Sequence, residues 1–248
     1  MTKPVIPPVH DDLTFHGPLS EARADLIIRS FGSLDGAHVV DLGCGWAELL
    51  LRTVAASTVT GLGIDLDAEA IEHGRANAAA RGLSDRVTLE TGDASQWTGD
   101  ADVLIVNGAT HVWGGDPVDH TAITLTESHR RLRPGGRLLL GEGFWERPPT
   151  EAELAAMEVP VDQYRALPDL VDLAVAHGYR PLWLSRANRD EWDEFESGHA
   201  LGWERWLAAN PDSPHRADII VRADGHRRAW QRGWQDVMGF AYLTLLAL

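Results

Sequence analysis

From about residue 37 the chain alternates between short β-rich apolar runs and helical stretches, and it does so several times over. AHVVDLG reads as a strand and WAELLLRTVAAS as a helix. TVTGLGIDL is a strand, and Asp67 stands where it would cap a helix through DAEAIEHGRANAAARG. RVTLETGD and ADVLIVNG are further strands, and DHTAITLTESHRRLRPGG is a helix closed by Pro134, Gly135 and Gly136. GRLLLGEG, LPDLVDLAVAHG and YRPLWLSRA continue as strand, helix and strand. Apolar runs joined by helical crossovers predict an α/β fold, a parallel sheet covered on both faces.

The ends depart from this rhythm. The first 19 residues, with Pro4, Pro7, Pro8 and Pro18, read as an extended arm, and Ser20 is placed to cap a helix through EARADLIIRSF. Residues 188–238 carry helical pattern only. Trp192, Phe195, His199, Trp203 and Trp206 recur every three or four positions, one face of a helix, and Trp230 and Trp234 lie one turn apart in a second. GFAYLTLLAL then resumes as a strand. The expected division is an N-terminal arm and helix over 1–36, forming part of a lid; a sheet domain over 37–187 and 239–248; and a helical hairpin over 188–238, inserted between the last two strands and covering the active site.

The formal net charge of −15 opposes phosphate backbones and anionic membranes over most of the surface. Lys3 is the only lysine, so neither a Schiff-base lysine nor a phosphate-loop lysine is available inside the chain. Cys44 is the only cysteine, which excludes an internal disulfide and a cysteine-based metal site; no metal is expected, and Cys44 reads as a packed small residue. MTKPVIPPVHDD has no apolar signal core, and VMGFAYLTLLAL is too short to span a bilayer, so a soluble, cytoplasmic protein is expected.

The chemistry is concentrated in VVDLGCGWAELLL, residues 39–51. In an open parallel sheet, ligands bind beyond the carboxyl ends of the strands, where Gly43 and Gly45 would let the backbone approach one closely. A dinucleotide fingerprint needs a third small residue three positions after the second glycine, and Glu48 stands there. Asp41 and Glu48 together make a poor seat for a pyrophosphate. Asp65, 20 residues beyond Gly45, stands where an acid would accept hydrogen bonds from ribose hydroxyls. A nucleoside that carries positive charge instead of phosphate fits such a site, and S-adenosylmethionine is one.

With these residues the chain resembles the class I S-adenosylmethionine-dependent methyltransferases over roughly residues 37–145, within a subgroup of bacterial small-molecule enzymes. Asp41, Gly43 and Gly45 match the family's first motif, which departs at its third glycine, here Ala47. Asp65, with Leu66 beside it, matches the ribose-binding acid. TGDAS matches the adenine-binding motif through Asp93 and Ala94. LIVNGATHVWGG matches the fourth-strand motif, putting Asn107 near the methionine end, and LRPGGRLLLGEGFW matches the fifth strand. The resemblance implies a Rossmann-like, seven-stranded, mostly parallel sheet, S-adenosyl-L-methionine as cofactor and transfer of a methyl group to a small-molecule nucleophile, oxygen or nitrogen.

On the acceptor side, His111 after the fourth strand and Glu142 at the end of the fifth are the candidate bases. Trp113, Trp145, Tyr164 and Trp203 are candidates for binding the acceptor. The partners expected are that acceptor and a second copy of the chain in a homodimer, with neither nucleic acid nor membrane. The competing readings are an S-adenosylmethionine-binding scaffold without turnover and an NAD-dependent dehydrogenase. The second lacks a Tyr-x-x-x-Lys pair, because Pro168 stands four residues after Tyr164.

Overall fold

A computed structural model describes residues 12–248; residues 1–11, and with them Pro4, Pro7 and Pro8 of the expected arm, lie outside the described residues. Seven strands, β1 (His38–Leu42), β2 (Thr60–Asp65), β3 (Val87–Thr91), β4 (Ala101–Asn107), β5 (Leu132–Trp145), β6 (Tyr179–Arg186) and β7 (Met238–Ala247), form one sheet in the order β3-β2-β1-β4-β5-β7-β6. The pairings from β3 to β5 are parallel, and β7 runs antiparallel to both β5 and β6.

The apolar runs alternate between two cores, as the two-residue period of a strand requires. Val39, Val103, Ile105 and Leu139 meet helices α1 (Glu21–Ser30), α2 (Glu48–Ala55) and α3 (Ala68–Ala80) through Ile27, Leu50, Leu51 and Ile71. Val40, Leu42, Leu104, Val106, Leu138 and Leu140 meet α4 (His120–Arg131) and α6 (Leu167–Ala176) through Leu125, Leu170 and Ala174.

The local start signals act as read. The Ser20 side chain accepts from the Arg23 N–H and opens α1, and Asp67 accepts from the Glu69 and Ala70 N–H groups and opens α3. α4 stops at Arg131, earlier than expected. Leu132 is already extended, so Pro134, Gly135 and Gly136 fall in the irregular first part of β5 instead of capping the helix.

A short helix, α5 (Glu151–Met157), follows β5. Between β6 and β7 lie α7 (Arg189–Ala209) and α8 (Arg216–Ala229). Trp230 and Trp234 are not part of α8: they bound a π-helical turn, Trp230–Trp234, after which the Gln235 N–H donates to the Trp230 carbonyl at 3.0 Å. α7 is tied to α1 at its first turn. Buried Glu191 accepts from the Ser20 hydroxyl at 2.6 Å and from Arg23 Nε at 2.8 Å.

Candidate active site

The carboxyl ends of β1, β2, β3 and β4 converge on one cleft. Gly43, with φ of 75°, turns the chain out of β1, and a β-carbon there would come within 2.5 Å of the Ala109 methyl, so only glycine fits. Ala47, where the family carries its third glycine, also has positive φ, 61°, and precedes α2. The departure at this position is therefore one of backbone conformation, beyond the added methyl group. The loop is organised by Asp65, whose carboxylate accepts the Gly45 N–H at 2.7 Å and the Asp67 N–H at 2.9 Å.

Two cavities lie along this loop. One, of about 40 Å³, is lined by Asp41, Gly43, Cys44, Trp46, Glu48 and Asn107 and by Phe15 and His16 of the arm. The arm lies against the loop here. Trp46 Nε1 donates to the Thr14 carbonyl at 2.9 Å, and the His16 ring meets the Trp46 indole edge-on. The second, of about 150 Å³, is lined by Gly43, Asp65, Leu66, Gly92, Asp93, Ala94, Ala109, His111 and Val112. Leu66 exposes 76% of its surface beside this cavity, and Ala94 is buried. Asp93 is exposed; hydrogen bonds from the Ser95 hydroxyl and N–H hold its carboxyl below the usual range.

Asp41 is buried, and burial first and neighbouring Asp65 second push its carboxyl up to about 8. Glu48 corrects the expectation from sequence. It is buried too, but its carboxylate is held by Arg52 Nε and Arg81 Nη2 at 2.7 Å each, so it projects no free charge. The other acids that line the cleft are Asp41, Asp65 and Asp93. Burial followed by Asp41 and Asp65 pushes the Cys44 thiol far up, which leaves it an inert packed group. Asn107 contributes an Oδ1 that is buried without a partner among the described residues. Three acids, a carbonyl acceptor and a glycine cradle fit a ligand that brings an ammonium, a sulfonium and ribose hydroxyls and has no phosphate.

A third cavity, of about 350 Å³, adjoins the cleft at His111, which lines both. His111 and Thr110 come from the turn after β4, Glu142 and Gly143 from β5, His120 and Thr121 from α4, Gln163 and Tyr164 from the segment before α6, Trp192 from α7, and Met238 and Phe240 from β7. The β5–β7 register, Gly143 opposite Phe240 and Trp145 opposite Met238, carries the β7 side chains to this place. Glu142 is buried; it accepts from the Thr121 hydroxyl at 3.2 Å and from the Gly143 N–H at 2.8 Å, and burial outweighs these bonds and raises its carboxyl. Burial and the Glu142 charge raise the Tyr164 phenol in turn.

Of the side chains expected to bind the acceptor, Tyr164 lines the cavity and three do not. Trp113 packs against the Arg131 guanidinium, 5.5 Å from its ring centre, because the turn after β4 lays it back on α4. Trp145 donates to the Val161 carbonyl at 2.8 Å and meets Tyr164 edge-on, so it supports the wall from behind. Trp203 sits about four turns into α7 and does not line this cavity. His120, Thr121, Gln163, Trp192, Met238 and Phe240 were not read as site residues. Only Trp192 carried a signal, as the first member of the tryptophan stripe.

Residues 39–136 match the family model for a methyltransferase domain. A methyltransferase from Geobacter sulfurreducens, crystallised with S-adenosyl-L-homocysteine, superposes with a TM-score of 0.88 at 27% identity, covering 97% of this chain and 96% of its own. A second, from Thiobacillus denitrificans and crystallised with the same molecule, gives 0.88 at 27% identity, over 98% and 99%. The chain is an S-adenosylmethionine-dependent methyltransferase with a Rossmann-like fold. The uncharacterized protein YjhP of Escherichia coli K12 is 28% identical over 236 residues, 94% of this chain and 93% of its own. The methyltransferase uses S-adenosylmethionine and needs a methyl acceptor. Among its described residues, no helix is long and apolar enough to cross a membrane.

Proposed function

We propose that the methyltransferase moves the methyl group to an oxygen or nitrogen of a small molecule held in the 350 Å³ cavity. The observation that carries this reading is the position of His111, which lines both the cofactor cleft and that cavity. The cavity's size is that of a site for one small ligand, and the acidic surface disfavours nucleic acid as the acceptor. When bound, S-adenosylmethionine supplies an electrophilic methyl on a sulfonium.

The chain's residues then divide the work. Asp65 and Asp93 take the ribose and adenine ends, Leu66 and Ala94 pack on the base, and Asp41 and Asn107 receive the ammonium end beside Gly43 and Gly45. Glu142 accepts a hydrogen bond from the nucleophile and aims it, Tyr164 closes the wall, and His111 takes the proton released on transfer. Residues 12–36 of the arm and the hairpin over 188–238 cover the site against water.

The test is incubation with a metabolite extract and methyl-labelled cofactor. A labelled small molecule is expected, and its formation should be lost in His111→Ala and Glu142→Gln. Label found only in macromolecules would overturn the reading. A product formed at the full rate by both variants would remove the base and leave positioning alone.

A further inference from the structure

Trp192 and Met238 line the acceptor cavity and also a second one, of about 330 Å³ and open to solvent, between the end of β6, the first turn of α7 and the π turn. The walls of this second space are unusual for a site holding an alkyl tail. Three are tryptophans, Trp192, Trp230 and Trp234, and three are acids, Glu146, Asp193 and Asp236, while none of its eleven lining residues is Leu, Ile, Val or Phe. Asp236 pairs with Arg189, itself a lining residue, and Glu146 pairs with Arg186 at 3.2 Å. Asp193 is exposed and makes no ion pair among the described residues.

Trp234 is held in place. Trp234 Nε1 donates at 2.8 Å to Glu196, a side chain only 1% exposed, whose other oxygen meets His226 Nε2 at 2.7 Å. The π turn brings Trp230 and Trp234 to the same cavity.

We propose that this second cavity is a subsite for the far end of the acceptor, and that it takes a cation, an alkylated ammonium group. The positive group lies against the electron-rich faces of the three indoles, with Asp193 supplying charge at the rim. Met238, unbranched and adaptable, forms the wall common to the two spaces. The same molecule places its nucleophile beside His111 and Glu142. This inference rests on the small-molecule reading above, and the cavity's composition narrows that reading to acceptors bearing a fixed positive charge.

Choline and its uncharged isostere 3,3-dimethylbutan-1-ol differ at one atom, nitrogen against carbon, and so test the cation directly. Each is titrated calorimetrically into the protein saturated with S-adenosyl-L-homocysteine. Choline should bind about fivefold tighter or better. Trp234→Leu should abolish the preference, and Asp193→Asn, at an exposed position that leaves the core intact, should reduce it by about half. Equal affinities for the two probes, or a preference that survives both substitutions in folded protein, would overturn the cation subsite. A labelled small-molecule product from the extract experiment combined with equal probe affinities removes the cation subsite alone. A choline preference without any small-molecule product supports the cation cavity and counts against the acceptor reading.

Discussion

The cofactor cleft and the acceptor cavity share the same sheet edge but are made in opposite ways. The cleft is assembled from the ends of four parallel strands and the loops that leave them, and its polar groups are short side chains bonded to nearby backbone: Asp65 to Gly45 and Asp67, Asp93 to Ser95. The acceptor cavity draws on six stretches of chain from Gly108 to Phe240: the turn after β4, the start of α4, β5, the segment before α6, α7 and β7. A loop fixed by local hydrogen bonds suits a ligand common to a whole family. A wall drawn from stretches far apart in the chain can change its shape without disturbing that loop, which is how one fold accommodates different acceptors.

This contrast can be broken at His111, the residue lining both spaces. His111→Ala should lower kcat about 100-fold while the affinity for S-adenosyl-L-homocysteine, measured by calorimetry, changes by less than about threefold. A parallel loss of that affinity would assign His111 to the cofactor side. Asp65→Ala tests the other half. It should weaken cofactor binding by about tenfold or more through lost charge-assisted hydrogen bonds, and an unchanged affinity would refute its ribose role.

The pH dependence of binding comes next. With its carboxyl raised to about 8, Asp41 is largely protonated in the ligand-free protein at neutral pH and ionised in the unfolded chain. The unfolded chain thus binds fewer protons between the ordinary aspartate range and about 8, and the stability of the ligand-free protein should fall as pH rises through that window, levelling above it. A cationic ligand favours the ionised form. Cofactor affinity should therefore rise with pH, by at most about tenfold per unit, and flatten above the Asp41 titration. Asp41→Asn should flatten the whole profile; a slope kept in that variant would point to another group.

The smallest effect concerns Ala47. A left-handed alanine costs about 1–2 kcal/mol, and glycine gives back about 0.4–1 kcal/mol through the unfolded chain. Ala47→Gly should thus stabilise the protein by about 0.5–1 kcal/mol in a denaturant titration, with cofactor affinity retained.

The same contrast explains what could be read from the sequence. The strands, the caps at Ser20 and Asp67, and the placement of Asp41, Gly43, Asp65 and Asp93 at the strand ends follow from residues within a few positions of one another, and such short-range determinants survive in a one-dimensional pattern. The neutralisation of Glu48 was hidden because Arg81 lies 33 positions away. Phe240 and Met238 reach the acceptor cavity through the antiparallel register of β7 on β5, which no local signal in VMGFAYLTLLAL announces. Trp113 and Trp145 looked like ligand contacts by being large and near the motifs, yet a neighbouring guanidinium and a distant carbonyl claim them.

The place of β7 has a consequence for biosynthesis. It lies between β5 and β6, so neither strand can complete its ladder on that side until residue 247 has been translated. The nascent chain therefore carries two unpaired edges, and the hairpin waits without its second anchor, while the half of the sheet from β3 to β5 is already free to form. Chaperone engagement and sensitivity to premature termination should concentrate in that interval.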